Sequence, residues 1–145
     1  MSDPLLDVTI PGDPVPQGRP RAHRVGNGIR VYDPPKAKKW KRGAAILIRH
    51  AASPIPLVRD HRAPLSVEID VVIRRPKSAP KTRQLDRQPH VKRPDLDNIV
   101  KCVLDAATSA GIWGDDSQVC ELVARKWQAA MGEEPSVRLV VRNGV

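Results

Sequence analysis

The sequence predicts a single α/β domain of the α+β type, with one mixed β-sheet and two α-helices packed on it. Three observations support this prediction. Apolar and polar residues alternate through Leu65–Ile73, two other segments repeat apolar residues at helical spacing, and shorter alternating segments lie near both ends of the chain. A length of 145 residues and a hydrophobic share of 40% suit one domain, residues 1–145, with one modest core.

Five segments have the pattern of β-strands. The clearest is Leu65–Ile73, where Leu, Val and Ile alternate with Ser, Glu and Asp. Weaker alternation predicts strands at Leu6–Ile10, before Pro11, and at Ile29–Tyr32. Two closing strands are expected at 119–127 and 136–142. With the two helices, the expected order is β-β-α-β-α-β-β.

Two helices are expected between these strands. The first should open at 33–35, with Asp33 as its cap and a proline in its first turn, and run to about Ala52. It is basic at its start and apolar from Ala44 to Ile48, which predicts one face on the sheet and a basic face turned away from it. The second should begin at or after Asp95 and end near Gly111, since apolar residues between them recur every three or four positions.

Two basic loops are expected, at about 12–30 and 75–94. Prolines recur every two to four residues in 12–21, so this stretch cannot be helical and should run extended over the surface. It would then carry Arg19 and Arg21 outward. The second loop also contains prolines and is expected to lack regular structure.

Several classes of protein are disfavoured by composition. The sequence contains no run of 18 apolar residues, so no membrane span is predicted. Residues 1–6 lack the features of a signal peptide. Cys102 and Cys120 are too few for a disulfide scaffold, so a reducing cytoplasm is expected. The four histidines lack metal-ligand spacing. The sequence also contains no Gly-rich phosphate-binding loop, so no phosphate-bearing or other small-molecule cofactor is expected.

The charge balance predicts a polyanionic partner. Lys and Arg number 25 against 16 Asp and Glu, a formal net charge of +9. Two blocks, at 17–49 and 74–93, are dense in basic residues and contain one acid each, Asp33 and Asp86. Cations that neutralise phosphates release condensed counterions, so this distribution favours binding to nucleic acid. The acids are concentrated after Pro94.

The segment Arg93-Pro-Asp-Leu-Asp-Asn-Ile-Val-Lys101 is the first candidate for chemistry. Two carboxylates two residues apart diverge inside a helix, but they can converge where the first residue is still extended. Lys101 lies four residues after Asp97, on the same helical face. A purely structural alternative is that these acids cap the helix and complement its dipole.

The segment Ile112-Trp-Gly-Asp-Asp-Ser-Gln-Val119 is the second candidate. It places Asp115 and Asp116 in a turn directly before a strand, at the far end of the second helix from Asp95. Clustered carboxylates repel one another unless a cation neutralises them, and hard oxygen ligands suit Mg²⁺. The two segments can meet only if the chain doubles back, and an ordinary exposed turn is the alternative.

These residues resemble the signature of the RusA family of Holliday junction resolvases, found in bacteria, prophages and phages. The resemblance lies in three segments. Two of them, 93–101 and 111–119, contain the acids quoted above, and the third is Val-Leu-Asp-Ala at 103–106. The opening Ile-Pro-Gly-Asp-Pro-Val-Pro-Gln-Gly-Arg-Pro-Arg at 10–21 is similar to that family's first strand and basic loop. The matches extend in order over roughly 8–127, and their combination is more specific than an isolated Asp-x-Asp.

The resemblance implies a homodimer that binds four-way DNA junctions and nicks two strands symmetrically with Mg²⁺, or Mn²⁺ as a substitute, in recombination, repair or phage DNA processing. Asp95, Asp97 and Asp116 match the metal-binding acids, Asp115 is a possible further ligand, and Lys101 matches a lysine near the active site. Gln17 departs from the family, in which a lysine is common at this position. The residues expected to contact DNA phosphates are Arg19, Arg21, Lys36, Lys38, Lys39 and Arg93.

Two alternatives remain open from the sequence. One is a non-catalytic basic DNA-binding protein, in which the acids only cap helices and turns. The other is a flap or RNA nuclease that uses the same carboxylates on a different substrate. Tyr32, Trp40 and Trp113 could each belong to the core or contact a base.

Overall fold

The computed structural model describes residues 3–18, 21–32, 35–53 and 57–144. Asp33, expected as a helix cap, lies outside the described residues. The elements are β1 (Leu6–Pro11), β2 (Arg21–Val25), β3 (Gly28–Tyr32), α1 (Pro35–Ala51), β4 (Leu65–Ile73), β5 (Gln88–Pro89), α2 (Leu96–Ala110), a short 3₁₀ turn (Asp116–Gln118), β6 (Val119–Gln128) and β7 (Ser136–Asn143).

The predicted mixed sheet is confirmed, with two helices packed against it. Its strand order is β1-β7-β4-β6-β5, with β4 and β6 parallel and the other neighbours antiparallel. Alternation in β4 buries Leu65, Val67, Ile69 and Val71, each at most 1% exposed. Burial of such a side chain contributes about 1.5–3 kcal/mol, so β4 forms the centre of the core.

The two helices cover one core and pack on each other. Ala44 and Ile48 of α1 are buried in the same cluster as Ile99 and Val103 of α2. The second helix has the predicted bounds, since it begins directly after Asp95 and ends before Gly111. Gly111 has a φ of 77°, a left-handed conformation that glycine adopts without a Cβ penalty.

The strand predicted at Ile29–Tyr32 forms, but its placement in the main sheet was wrong. It is β3, and it pairs with β2 in a separate two-stranded sheet. The two strands are joined by a two-residue loop at 26–27, in which Gly26 has a φ of 59°. Such a loop pairs consecutive strands directly. The sequence of β2, Arg-Ala-His-Arg-Val, lacks the alternation that would have predicted a strand.

The proline-rich stretch after β1 is extended, but the prediction that it runs over the surface was wrong for its buried residues. Val15 is 7% exposed and packs with Ala37 and Cys102. The backbone N–H of Gln17 donates to the carbonyl of Asn98 at 2.9 Å, which ties this stretch to the first turn of α2. Its few apolar side chains close a small core beside α1 and α2.

The second basic loop carries more structure than expected. Its last residues form β5 on the end of β6. Arg75 donates to the backbone carbonyls of Pro80 and Gln84 and so organises the loop from within. Among the helices of the described residues, none is long and apolar enough to cross a membrane.

Candidate active site

The N-terminus of α2 carries the first two predicted site residues, Asp95 and Asp97, here called the N-terminal acid pair. Asp95 has an extended backbone (φ −71°, ψ 140°) and makes no side-chain capping hydrogen bond. Asp97 accepts a hydrogen bond from the N–H of Asn98 at 3.0 Å. Both carboxylates are exposed. The position of Asp95 is therefore that of a helix cap, but its carboxylate does not perform the capping role.

Neighbouring segments hold this pair in place. The ammonium of Lys126 on β6 donates to the carbonyls of Lys92 and Pro94, both at 2.6 Å. A shallow depression of about 400 Å³ beside Asp95 is lined by Pro16, Arg93, Pro94, Asp95 and Asn98. Arg93 is exposed and lines the same depression as Asp95; its contact with phosphate remains a prediction.

The turn after α2 carries Asp115 and Asp116, here called the C-terminal acid pair. The turn is anchored by Trp113, which is 4% exposed and whose indole N–H donates to the hydroxyl of Thr108 at 2.9 Å. Trp113 is therefore a core residue, which settles one of the alternatives left open by the sequence. Trp40 is partly buried against the same core.

Gln118 organises the C-terminal acid pair, a role that was not predicted from the sequence. Its side chain is buried, and its amide N–H group donates to the carbonyls of Asp60 and Ala63 at 3.0 and 3.1 Å. Its amide oxygen accepts from the N–H groups of Gly114 and Asp115 at 2.9 and 3.3 Å. Gln118 lies three residues after Asp115, the spacing of a capping box, and this was the available signal for its contact with the turn. Its contacts with Asp60 and Ala63 left no such signal, because these residues lie more than fifty residues away in sequence.

The two acids of this turn have different surroundings. Hydrogen bonds to the carboxylate of Asp115, chiefly from the Ser117 side chain and also from backbone N–H groups of Asp116 and Ser117, lower its pKa below the ordinary value. The carboxylate of Asp115 therefore takes part in the hydrogen bonding of the turn itself. Asp116 starts the 3₁₀ turn and lines the neighbouring groove.

That groove, of about 770 Å³, lies between α1 and the last turns of α2 and is here called the basic groove. One wall is formed by Lys38, Lys41 and Arg42 of α1, and the C-terminal acid pair lies on the other side. Asp105 of α2 also lines the groove and is 3.8 Å from the ammonium of Lys41. Lys41 and Arg42 were not among the predicted DNA-binding residues, although they belong to the same basic block.

Lys101 projects toward Asp105, the acid one turn after it on the same helical face. Its ammonium is 3.9 Å from Asp105, four residues later, and its side chain is 65% exposed. Of the predicted phosphate contacts, Lys36, Lys38 and Lys39 are exposed at the start of α1. Arg19 and the side chain of Arg21 lie outside the described residues.

The two acid pairs lie at opposite ends of α2. The helix has 15 residues, so at 1.5 Å per residue it separates them by about 22 Å. Within the described residues of one chain, no group of three Asp, Glu, His or Cys side chains is arranged to hold a metal ion. Within the described residues, one copy therefore does not by itself bring Asp95, Asp97 and Asp116 together.

A basic groove is the electrostatic footprint of a nucleic-acid-binding protein, and here it lies beside paired carboxylates. Comparison with known families agrees: the model of the family "Endodeoxyribonuclease RusA" matches residues 11–142. The chain also shares 32% identity over 143 residues with "Uncharacterized protein YqaN" of Bacillus subtilis (strain 168), covering 94% of this chain and 95% of that protein. The chain belongs to the RusA family of endodeoxyribonucleases, a family whose activity is the resolution of Holliday junctions.

Proposed function

We propose that the protein is a Mg²⁺-dependent endonuclease that resolves four-way DNA junctions as a homodimer by paired, symmetric nicks. The observation that carries this proposal is the basic groove, in which three cationic side chains of α1 face the C-terminal acid pair. Cations contribute affinity for the DNA backbone, and carboxylates next to them are the ligands that Mg²⁺ prefers. Neither group alone would distinguish a nuclease from a DNA-binding protein.

The phosphate backbone of one DNA strand would follow α1 along the basic groove. Lys38 and Arg42 lie one helical turn apart and project on the same side, so they can contact successive phosphates. These contacts fix the position of the strand and carry little sequence information. Lys41 forms an ion pair with Asp105, and this contact orients the Lys41 ammonium beside the groove.

The separation of the acid pairs supports a site completed by two copies of the chain. β6 extends from the C-terminal acid pair to Lys126, which holds the segment of the N-terminal acid pair. Among the described residues, β5 pairs only with the last two residues of β6, so the outer edge of 119–125 has no partner strand. Leu122 and Val123 on this edge are 44% and 40% exposed.

Antiparallel pairing of this edge with its copy, about a two-fold axis, would place the start of one β6 opposite the end of the other. Asp116 of one copy would then lie near Asp95 and Asp97 of the second copy, at each end of the paired strands. Two equivalent sites would form at a fixed separation, which suits symmetric nicks in a four-way junction. A divalent cation bound there would offset charge that develops at the scissile phosphate.

The test is cleavage of a labelled mobile four-way junction with and without Mg²⁺, with nicks mapped on all four strands. We expect paired nicks at symmetric positions, only with the cation, and little cleavage of duplex, flap or RNA substrates. Asp97→Asn should bind the junction as well as the wild-type protein, or more tightly, and should not cut it. Wild-type rates of cleavage by Asp97→Asn, or preferential cleavage of flap or RNA substrates, would contradict the proposal.

A further inference from the structure

The segment that leads into Asp95 is attached to β6 at three successive levels. Gln88 and Pro89 pair with the last residues of β6. The N–H of His90 then donates to the backbone carbonyl of Lys126 at 3.1 Å. Finally, the ammonium of Lys126 reaches the carbonyls of Lys92 and Pro94, both at 2.6 Å. Beyond Pro94 the chain enters α2.

The side chain of Lys126 thus acts where the backbone pairing ends. Hydrogen bonds from a charged donor are shorter and stronger than those between neutral groups, and both of these are short, at 2.6 Å. The carbonyl of Pro94 belongs to the same rigid peptide unit as the N–H and Cα of Asp95. Fixing that carbonyl therefore fixes the direction in which the Asp95 side chain leaves the backbone.

Asp95 has few other constraints. Its carboxylate makes no capping hydrogen bond, and its side chain is exposed. On the helix side, the carbonyl of Asp95 accepts a hydrogen bond from the N–H of Ile99 at 3.3 Å, and Gln17 donates to Asn98, three residues further on. On the other side of Asp95, among the described contacts, the ammonium that bridges two carbonyls is the one that orients the preceding peptide.

We propose that Lys126 is a positioning residue for Asp95: it acts through the carbonyls of Lys92 and Pro94 and touches neither DNA nor cation. The inference rests on the proposed function for its effect on catalysis, but not for its effect on the backbone. Misplacement of a reacting group by about 1 Å can cost about a hundredfold in rate. Loss of Lys126 should therefore lower kcat and leave junction affinity nearly unchanged.

The test compares Lys126→Met with Lys92→Met. Each removes one positive charge from the same surface, but only the first removes the two hydrogen bonds, because Lys92 contributes its backbone carbonyl. We expect Lys126→Met to lower kcat about a hundredfold with less than a threefold change in junction Kd measured without metal. Lys126→Arg, which can still donate to two carbonyls, should recover at least a tenth of the wild-type kcat. Lys92→Met should retain the wild-type kcat.

A second readout does not depend on activity. Amide hydrogen exchange of 93–97 should be faster in Lys126→Met than in the wild-type protein, and unchanged in Lys92→Met. If Lys126→Met does not fold, Lys126→Gln provides the same comparison with one donor group retained. Wild-type kcat and exchange in the folded variant would overturn the inference. Altered exchange in a protein whose wild-type form cuts no branched DNA would instead reject the proposed function and leave the positioning role intact.

Discussion

Gln118 provides the sharpest test of how the C-terminal acid pair is held. Its buried side chain makes four hydrogen bonds, two as donor to the carbonyls of Asp60 and Ala63 and two as acceptor from Gly114 and Asp115. A neutral hydrogen bond contributes about 1 kcal/mol to stability. Gln118→Ala should therefore lower the free energy of unfolding by about 3–4 kcal/mol, with some loss recovered if water enters.

The measurement is urea denaturation followed by circular dichroism, together with Gln88→Ala as a control. Gln88 makes one exposed hydrogen bond, to the carbonyl of Asp86, so its removal should cost less than about 0.5 kcal/mol. Gln118→Glu adds a second comparison. Its carboxylate would keep the two acceptor contacts but oppose the carbonyls of Asp60 and Ala63, so this variant should become more stable as the pH falls and the carboxyl is protonated.

The reasoning would be refuted by a loss of less than about 1 kcal/mol in Gln118→Ala, because buried groups left without partners cost at least that much. Equal losses in the Gln118 and Gln88 variants would also refute it. A Gln118→Glu variant whose stability does not rise on acidification would show that its side chain does not face the two carbonyls.

Three further predictions concern charge, the groove and the free strand edge. Burial, together with the charges of Lys126 and Lys92, lowers the pKa of His90 below its ordinary value. Because the unfolded chain binds a proton at this residue more readily than the folded chain, the free energy of unfolding should fall as the pH drops below about 6.5. Urea midpoints at pH 8 and pH 5 should differ less in His90→Gln than in the wild-type protein, and equal differences would contradict this. Arg42→Gln should reduce the slope of log K against log salt for junction binding by about 1, whereas Arg138→Gln, on a side chain paired with Asp7, should not. Leu122→Glu should sediment as a monomer and lose nicking at low concentration; Met131→Glu, at an exposed apolar residue outside β6, should remain a dimer, and a dimeric Leu122→Glu would contradict the β6 interface.

The elements that the sequence predicted well are those with local, periodic signals. Alternation in Leu65–Ile73 identified the central strand, and three-and-four spacing identified α2 with its start after Asp95. The β2–β3 hairpin was missed because Arg21–Val25 has no apolar face to reveal it. A strand that pairs only with its neighbour in a hairpin need not bury one side, so its sequence need not alternate apolar and polar residues.

The candidate site was predictable only in part, for a different reason. The acids stand out because they interrupt a basic chain, and the family resemblance supports them. Their distance in space depends on the length of α2 and on contacts such as Gln118 to Asp60, which join residues remote in sequence. No spacing rule contains that information. The role of Lys126 likewise depends on β6 lying beside the segment 92–94.

The length of α2 has a consequence for how the protein folds. Three or more carboxylates gathered in one chain would repel one another, and folding without a cation would have to overcome that repulsion. Because the two acid pairs lie at opposite ends of the helix, a lone copy keeps this cost small; Lys41 lies beside Asp105, and hydrogen bonds, chiefly from the Ser117 side chain, lower the pKa of Asp115. A newly made chain should therefore reach its native structure in metal-free solution, and under the proposed function a cation would be needed only once two folded copies have met.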